Sequence, residues 1–205
     1  MTASHGITTA VVYARNWKSK MLYLISGASR SGKTMIAEKI LNQKNLPYMS
    51  LDWLVMGFTN GMPECGIHDM LFPDDIAKKL WSFVKSMCES MLWSDADCVI
   101  EGEAILPELV SELLTKYPDK IKICFLGYTD IDADEKARSI KEFSTGKTDW
   151  LNKKPDAYIY DHIQNMVRHS RRIKAGCGQY NMRYFDTSED FTGTIDKAVE
   201  YLLDT

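Results

Sequence analysis

No stretch of this 205-residue chain comes near the roughly 20 consecutive apolar residues that span a membrane, and its start lacks the cationic, apolar and small-residue zones of a signal peptide. A soluble, cytoplasmic protein is expected. Nor is there an excess of basic charge: 25 Lys and Arg stand against 28 Asp and Glu, a net charge of −3. A dedicated nucleic-acid or membrane-surface protein would favour a basic face, so neither partner is expected. The five cysteines, Cys65, Cys88, Cys98, Cys124 and Cys177, are odd in number and include no C-x-x-C pair. They read as reduced thiols rather than a disulfide framework. Cys65-Gly66-Ile67-His68 offers half of a zinc-like spacing without a second half. Internal repeats and low-complexity linkers are missing, and the length suits one sizeable core rather than two. Residues 1–20, mixed and polar, read as an N-terminal extension ahead of a domain over 21–205.

What is present is organised around Gly27-Ala28-Ser29-Arg30-Ser31-Gly32-Lys33-Thr34, which fits G-x-x-x-x-G-K-[ST] at every fixed position. It follows the apolar run Met21-Leu22-Tyr23-Leu24-Ile25 and opens a helical segment from Met35 to Leu41, the strand, loop and helix setting that the motif requires. A phosphate chain carries several negative charges. A loop of backbone N–H groups running into a helix N-terminus offers matching donors. Gly27 and Gly32 let the backbone curl, Lys33 reaches the β and γ phosphates, and the Thr34 hydroxyl ligates Mg²⁺. The whole stretch Gly27 to Thr34 is therefore the candidate nucleotide-binding segment, with ATP and Mg²⁺ as its expected ligands.

Short apolar runs alternate with helical periodicity along the rest of the chain. Strands are expected at Tyr48 to Asp52, at Cys98-Val99-Ile100, at Ile121 to Leu126 and at Met182 to Phe185. Helices are expected over Asp74 to Trp93, from Pro107, from the capped start Asp132-Ala133-Asp134-Glu135, over Tyr158 to Ala175 with Gly176 to Gly178 ending it, and over Thr194 to Leu203. Residues 53–73 carry Gly57, Gly61, Pro63, Gly66 and Pro73 and read as an ordered loop or short helices forming a substrate lid. Residues 144–156, with Gly146, Lys147, Asn152, Lys153, Lys154 and Pro155, read as a polar break. Continuous apolar strands alternating with helices mean a parallel sheet covered on both faces, with ligands beyond the carboxyl ends of the strands. Asp52, Glu101, Glu103, Tyr128 and Asp186 all fall at or just after such ends.

Phosphoryl transfer asks for a phosphate cradle, a metal site, a group that orients or deprotonates the acceptor, and cations for the transferring phosphoryl. Asp52 is the candidate general base, with a helix cap as its alternative role. Glu101 is the candidate for the Mg²⁺ shell beside Thr34, and Glu103 is its alternate. Arg138, Arg168, Arg171 and Arg172 are the candidate phosphate clamps, since guanidinium matches phosphate oxygens in bidentate fashion. His169 reads as a surface residue. Arg30 occupies a variable position of the motif.

These residues resemble those of P-loop small-molecule kinases with the nucleoside-monophosphate-kinase fold, over roughly residues 21–204. Asp52 is similar to the acceptor-binding aspartate of chloramphenicol-phosphotransferase-like, shikimate-kinase-like and zeta-toxin-like kinases, and Ile100-Glu101-Gly102-Glu103-Ala104-Ile105-Leu106-Pro107 resembles the E-G-x-x-L-x-P run of 2-phosphoglycerate-kinase-like proteins. The resemblance implies a three-layer P-loop NTPase fold with five parallel strands in the order 2-3-1-4-5. It also implies an arginine-bearing lid over about 132–178 and an adenine pocket touched by Thr187 to Phe191. The D-G-[FY]-P-R run of adenylate-type kinases is replaced by Glu101-Gly102-Glu103-Ala104, which argues against a nucleoside monophosphate acceptor, and no histidine follows E-G-x in the phosphoglycerate-kinase manner. The expected activity is ATP- and Mg²⁺-dependent phosphorylation of a hydroxyl on a small metabolite. The alternative is a P-loop NTPase acting as a switch or partner-coupled hydrolase. GTP switching asks for N-K-x-D, and Asn152-Lys153-Lys154-Pro155 lacks the aspartate. Neither the acceptor nor the oligomeric state is indicated.

Overall fold

The computed structural model describes residues 20–142, 151 and 153–204. Residues 1–19 of the expected extension, and Gly146, Lys147 and Asn152 of the polar break, lie outside the described residues. Five strands, β1 (Leu22–Gly27), β2 (Tyr48–Ser50), β3 (Cys98–Gly102), β4 (Ile121–Gly127) and β5 (Arg183–Asp186), form one sheet in the order β2-β3-β1-β4-β5. Every pairing is parallel, with Leu22 opposite Cys98 on one side and Ile121 on the other. The order and direction are those expected.

Among the described residues, seven α-helices flank the sheet: α1 (Lys33–Lys44), α2 (Leu51–Gly61), α3 (Pro73–Trp93), α4 (Pro107–Lys116), α5 (Ala133–Glu142), α6 (Asp156–Gln179) and α7 (Phe191–Leu203). Successive side chains of a strand point to opposite faces, so the apolar runs feed two separate cores. Leu22, Leu24, Ile100, Ile123 and Phe125 pack with α2, α3, α4 and the end of α6 on one face. Ile25, Val99, Cys124 and Leu126 pack with Ile36 and Ile40 of α1 and Ile195 and Ala198 of α7 on the other. Each fully buried Leu or Ile contributes about 1.5–3 kcal/mol. A third cluster joins Ala28 and Tyr128 to Ala133 and Ile140 of α5 and to Ile159, Ile163 and Met166 of α6, seating the expected lid against the phosphate loop.

Three expectations are corrected. β2 stops at Ser50, and Asp52 lies in the first turn of α2, because the Ser50 hydroxyl accepts the Asp52 N–H at 3.4 Å and starts a helix there. The segment expected to be irregular is therefore helical as far as Gly61, anchored by buried Leu51 and Val55. Gly57 and Gly61 face open space. Helix α6 runs through Gly176 and Gly178 to Gln179. Gly176 serves close packing instead: a Cβ there would lie 3.2 Å from Pro107 Cγ. The left-handed turn past the helix end falls to Asn181, at φ 53°.

The cysteines divide in the same structural terms. Cys88, Cys98, Cys124 and Cys177 are buried, whereas Cys65 is exposed on the short 3₁₀ turn Pro63–Cys65 between α2 and α3. Burial pushes the Cys88 and Cys177 thiols up to about 12 and Cys98 up to about 11.

Candidate active site

The phosphate loop is held from below by the sheet. Gly27 sits at φ 138°, and a Cβ there would fall 1.8 Å from the Leu126 carbonyl oxygen, so the chain can pass β4 only without a side chain. The next N–H, of Ala28, donates to that same oxygen at 3.0 Å. The buried Tyr128 phenol donates to Ser29 O at 3.0 Å. Helix α1 then starts with Gly32 as its cap and no side chain bonding its first amides, which leaves those donors for a ligand. Ser31 places a buried hydroxyl without a hydrogen-bond partner in the same loop. A buried polar atom in that state suits an incoming phosphate oxygen.

Lys33, almost wholly buried, donates to Ala28 O at 2.7 Å and lies 3.6 Å from Glu103 Oε1. The Thr34 hydroxyl donates to Glu101 Oε1 at 3.4 Å. The two acidic candidates thus divide: Glu101 meets the threonine and Glu103 the lysine. Glu101 is buried at the end of β3, and burial raises its pKa. The neighbouring Asp52 charge adds to that rise, while hydrogen bonds from Ser50 and Thr34 and the charge of Lys33 oppose it.

A hard cation suits this pair, since Mg²⁺ takes oxygen donors from one or two side chains and completes its shell with phosphate oxygens and water. Among the described residues no cluster of three or more His, Cys, Asp or Glu could hold a metal without such additions.

Asp52 is exposed on the first turn of α2, yet enough protein surrounds its carboxyl that desolvation raises its pKa. Glu103 reinforces the rise and Lys33 counters it. The base candidate, the lysine and both glutamates therefore share one electrostatic neighbourhood at the ends of β1, β2 and β3.

The arginines are placed less uniformly. Arg138 is exposed on α5 with no partner among the described residues. Arg168 bonds the side-chain oxygen of Asn165. Arg171 donates from Nε to Thr129 O at 2.8 Å, tying α6 to the chain after β4. Arg172 is paired with Asp74 of α3 and, at 2.7 Å, with Glu108 of α4. Two carboxylates thus satisfy the charge that was expected to face phosphate. His169 is not a surface residue: its side chain is 8% exposed.

Sequence reasoning overlooked Lys136. Its ammonium donates to Arg30 O at 3.3 Å and lies over the rings of Tyr128 and Phe191, at 4.9 and 5.3 Å from their centroids. Burial and the charge of Arg30 lower its pKa. The α5 cation that touches the phosphate loop is therefore Lys136, two residues from the nominated Arg138.

Asp186, at the end of β5, accepts from the Thr129 and Ser188 hydroxyls at 2.5 Å each and from Lys174 at 3.0 Å. Burial alone would raise its pKa, but these bonds outweigh it and bring Asp186 to about 2. Its folded value lies below the unfolded one, so its contribution to stability is full above about pH 4 and is lost as pH falls from there towards 2. Asp186→Asn is expected to lower stability at neutral pH by about 1–2 kcal/mol and to flatten the acid limb, as read by denaturant unfolding at pH 7 and pH 3.

A five-stranded parallel sheet in this order, helices on both faces and a phosphate loop leaving its central strand define a P-loop NTPase fold. Among solved structures of this fold, the chain is similar to a gluconokinase from Sinorhizobium meliloti 1021, at 15% identity and a TM-score of 0.56 over 90% of this chain and 93% of that one. It is also similar to a shikimate kinase from Bacteroides thetaiotaomicron, at 16% identity and a TM-score of 0.52 over 88% and 94% of the two chains. A sugar kinase from Janibacter sp. HTCC2649 aligns at 16% identity and a TM-score of 0.51 over 89% and 94%. At such identity the shared feature is the fold. No protein-family model and no curated protein sequence matches the chain. No helix among the described residues is long and apolar enough to cross a membrane.

Proposed function

We propose that this protein is a kinase that transfers the γ-phosphoryl group of ATP, with Mg²⁺, to a hydroxyl of a small metabolite. The observation that carries the reading is that Ser50, in register with Glu101 across β2 and β3, leads directly into Asp52, whose carboxylate lies in the field of the Lys33–Glu103 pair. A loop that only held nucleotide would have no use for a carboxylate of raised pKa beside its lysine. Proton acceptance from a hydroxyl improves as the pKa of the base approaches the working pH. A fold shared with a gluconokinase, a shikimate kinase and a sugar kinase supports a small acceptor.

In this reading the Asp52 carboxylate takes the proton as the acceptor oxygen bonds to the γ-phosphorus and ADP departs with the electrons of the broken P–O bond. Lys33 and the free amides of α1 neutralise the non-bridging oxygens. Thr34 and Glu101 would hold Mg²⁺, which would supply neutralisation of phosphate charge. Among the described residues, Lys136 is a cation of the proposed lid that bonds to the loop, through Arg30 O.

Release of ADP from ATP·Mg²⁺ against a panel of nucleosides, sugars, hydroxy acids, phosphoglycerates and hydroxylated antibiotics tests the proposal. A large rise with one class is expected. A steady rate indifferent to every acceptor would overturn it in favour of a partner-coupled NTPase.

A further inference from the structure

Between the first turn of α3 and the middle of α6 lies a cavity of about 350 Å³, lined among others by Phe72, Pro73, Asp74, Met166, Arg168 and His169. That volume suits a compact metabolite. His169 forms part of its wall. Nδ1 lies 3.4 Å from Asp74 Oδ1, while Nε2 is buried without a hydrogen-bond partner. Burial lowers the His169 pKa, and Lys33 lowers it further against the opposing charges of Glu103 and Glu108. The ring is accordingly neutral near pH 7. Asp74 Oδ1 also lacks a hydrogen-bond partner, so the two groups are in proximity without a hydrogen bond between them. A buried ring nitrogen without a partner asks for one, and a ligand hydroxyl, which both donates and accepts, serves Nε2 in either neutral tautomer.

The charges around the cavity are unequal. Arg172, which also lines it, is neutralised by Asp74 and Glu108. Among the described residues, Arg168 has the neutral side chain of Asn165 as its partner and no carboxylate. Its guanidinium is therefore available for an anion, while Phe72, Pro73 and Met166 offer an apolar floor. Lys33 and Glu103 act electrostatically on His169 and on Asp52 alike, so the cavity wall and the base candidate share the field of one ion pair.

We propose that the cavity between α3 and α6 is the acceptor site, and that it takes a small hydroxylated anion whose hydroxyl hydrogen-bonds with His169 Nε2 and whose charged group pairs with Arg168. The inference rests on the kinase reading. Of the two sequence-nominated arginines here, Arg168 reads the acceptor and Arg172 braces the helices that form the cavity.

The test measures calorimetric binding to the full chain with ADP·Mg²⁺ present. It uses three arms: hydroxy acids of four to seven carbons, sugar monophosphates of that size, and uncharged polyols. Binding by a compound of either anionic arm, and by no polyol, is expected. The arm that responds identifies the anion as a carboxylate or a phosphate. Arg168 is exposed, so Arg168→Gln should fold, and it should weaken the anion roughly ten- to a hundredfold. His169→Asn should weaken it too, with retention of the ADP·Mg²⁺ thermal shift reporting an intact fold.

Equal binding of polyols, or no anion binding in a protein that binds ADP·Mg²⁺, overturns the proposal. So does Arg168→Gln that loses ADP·Mg²⁺ and keeps the anion, which would put the guanidinium on nucleotide. An anion that binds through Arg168 but never raises ADP release would leave the cavity as a ligand site and remove the kinase reading. Acceptor-dependent ADP release whose KM is unchanged in both variants would keep the kinase and remove the cavity.

Discussion

Lys33→Ala is expected to cut turnover by roughly two to four orders of magnitude, the range seen when a preorganised donor or cation is taken from a phosphoryl-transfer site. The ammonium is held before any ligand arrives, by Ala28 O at 2.7 Å and by Glu103 at 3.6 Å, so its removal deletes a charge that needs no reorganisation to act. The fold should persist, because neither apolar core of the sheet includes this side chain and Glu103 keeps partial access to water. Circular dichroism and a thermal midpoint near the wild-type value would establish that. Loss of Lys33 also removes the charge that restrains the Asp52 pKa, so residual activity should need a higher pH. Wild-type turnover in Lys33→Ala would exclude phosphoryl transfer at this loop.

Asp52→Asn should lower kcat by roughly 10²- to 10⁴-fold while leaving ATP affinity close to that of the wild type, the pattern of a lost general base. The pH profile makes the test specific. The base works as a carboxylate, and desolvation raises its pKa above the ordinary aspartate value. Turnover should therefore fall as pH drops through that raised value, and the fall should vanish in Asp52→Asn. Unchanged rates, or an acid limb that survives the substitution, would remove Asp52 from the mechanism and leave it a residue of the first turn of α2.

Much of the fold was legible because β1, β3 and β4 are buried nearly throughout and so read as apolar runs. The loop motif announced the central strand and the start of α1. What escaped was set by neighbours distant in sequence. Gly57 and Gly61 read as breakers, yet they face open space on a helix whose start is secured by Ser50 and whose buried side is Leu51 and Val55. Gly176 read as a terminator because nothing nearby in sequence announced Pro107 against it.

Lys136 was missed for a different reason, since the signal was present and went unused. Ala133, Ala137 and Ile140 set the inward face of α5, and Lys136 lies in that phase while Arg138 points away. His169 stands in the same relation to Met166 and Ile173 on α6, three residues from one and four from the other, so helical phase would have buried it.

The separation of four buried thiols from one exposed thiol has a practical consequence. A maleimide fluorophore should react at Cys65 without any prior cysteine removal, since the other sulfurs are shielded. Cys65 lies on the turn between the helix that carries Asp52 and the helix whose first turn walls the α3–α6 cavity. The native chain therefore carries its own attachment point for an optical reporter, placed where the binding of a guest in the cleft would change the dye's surroundings.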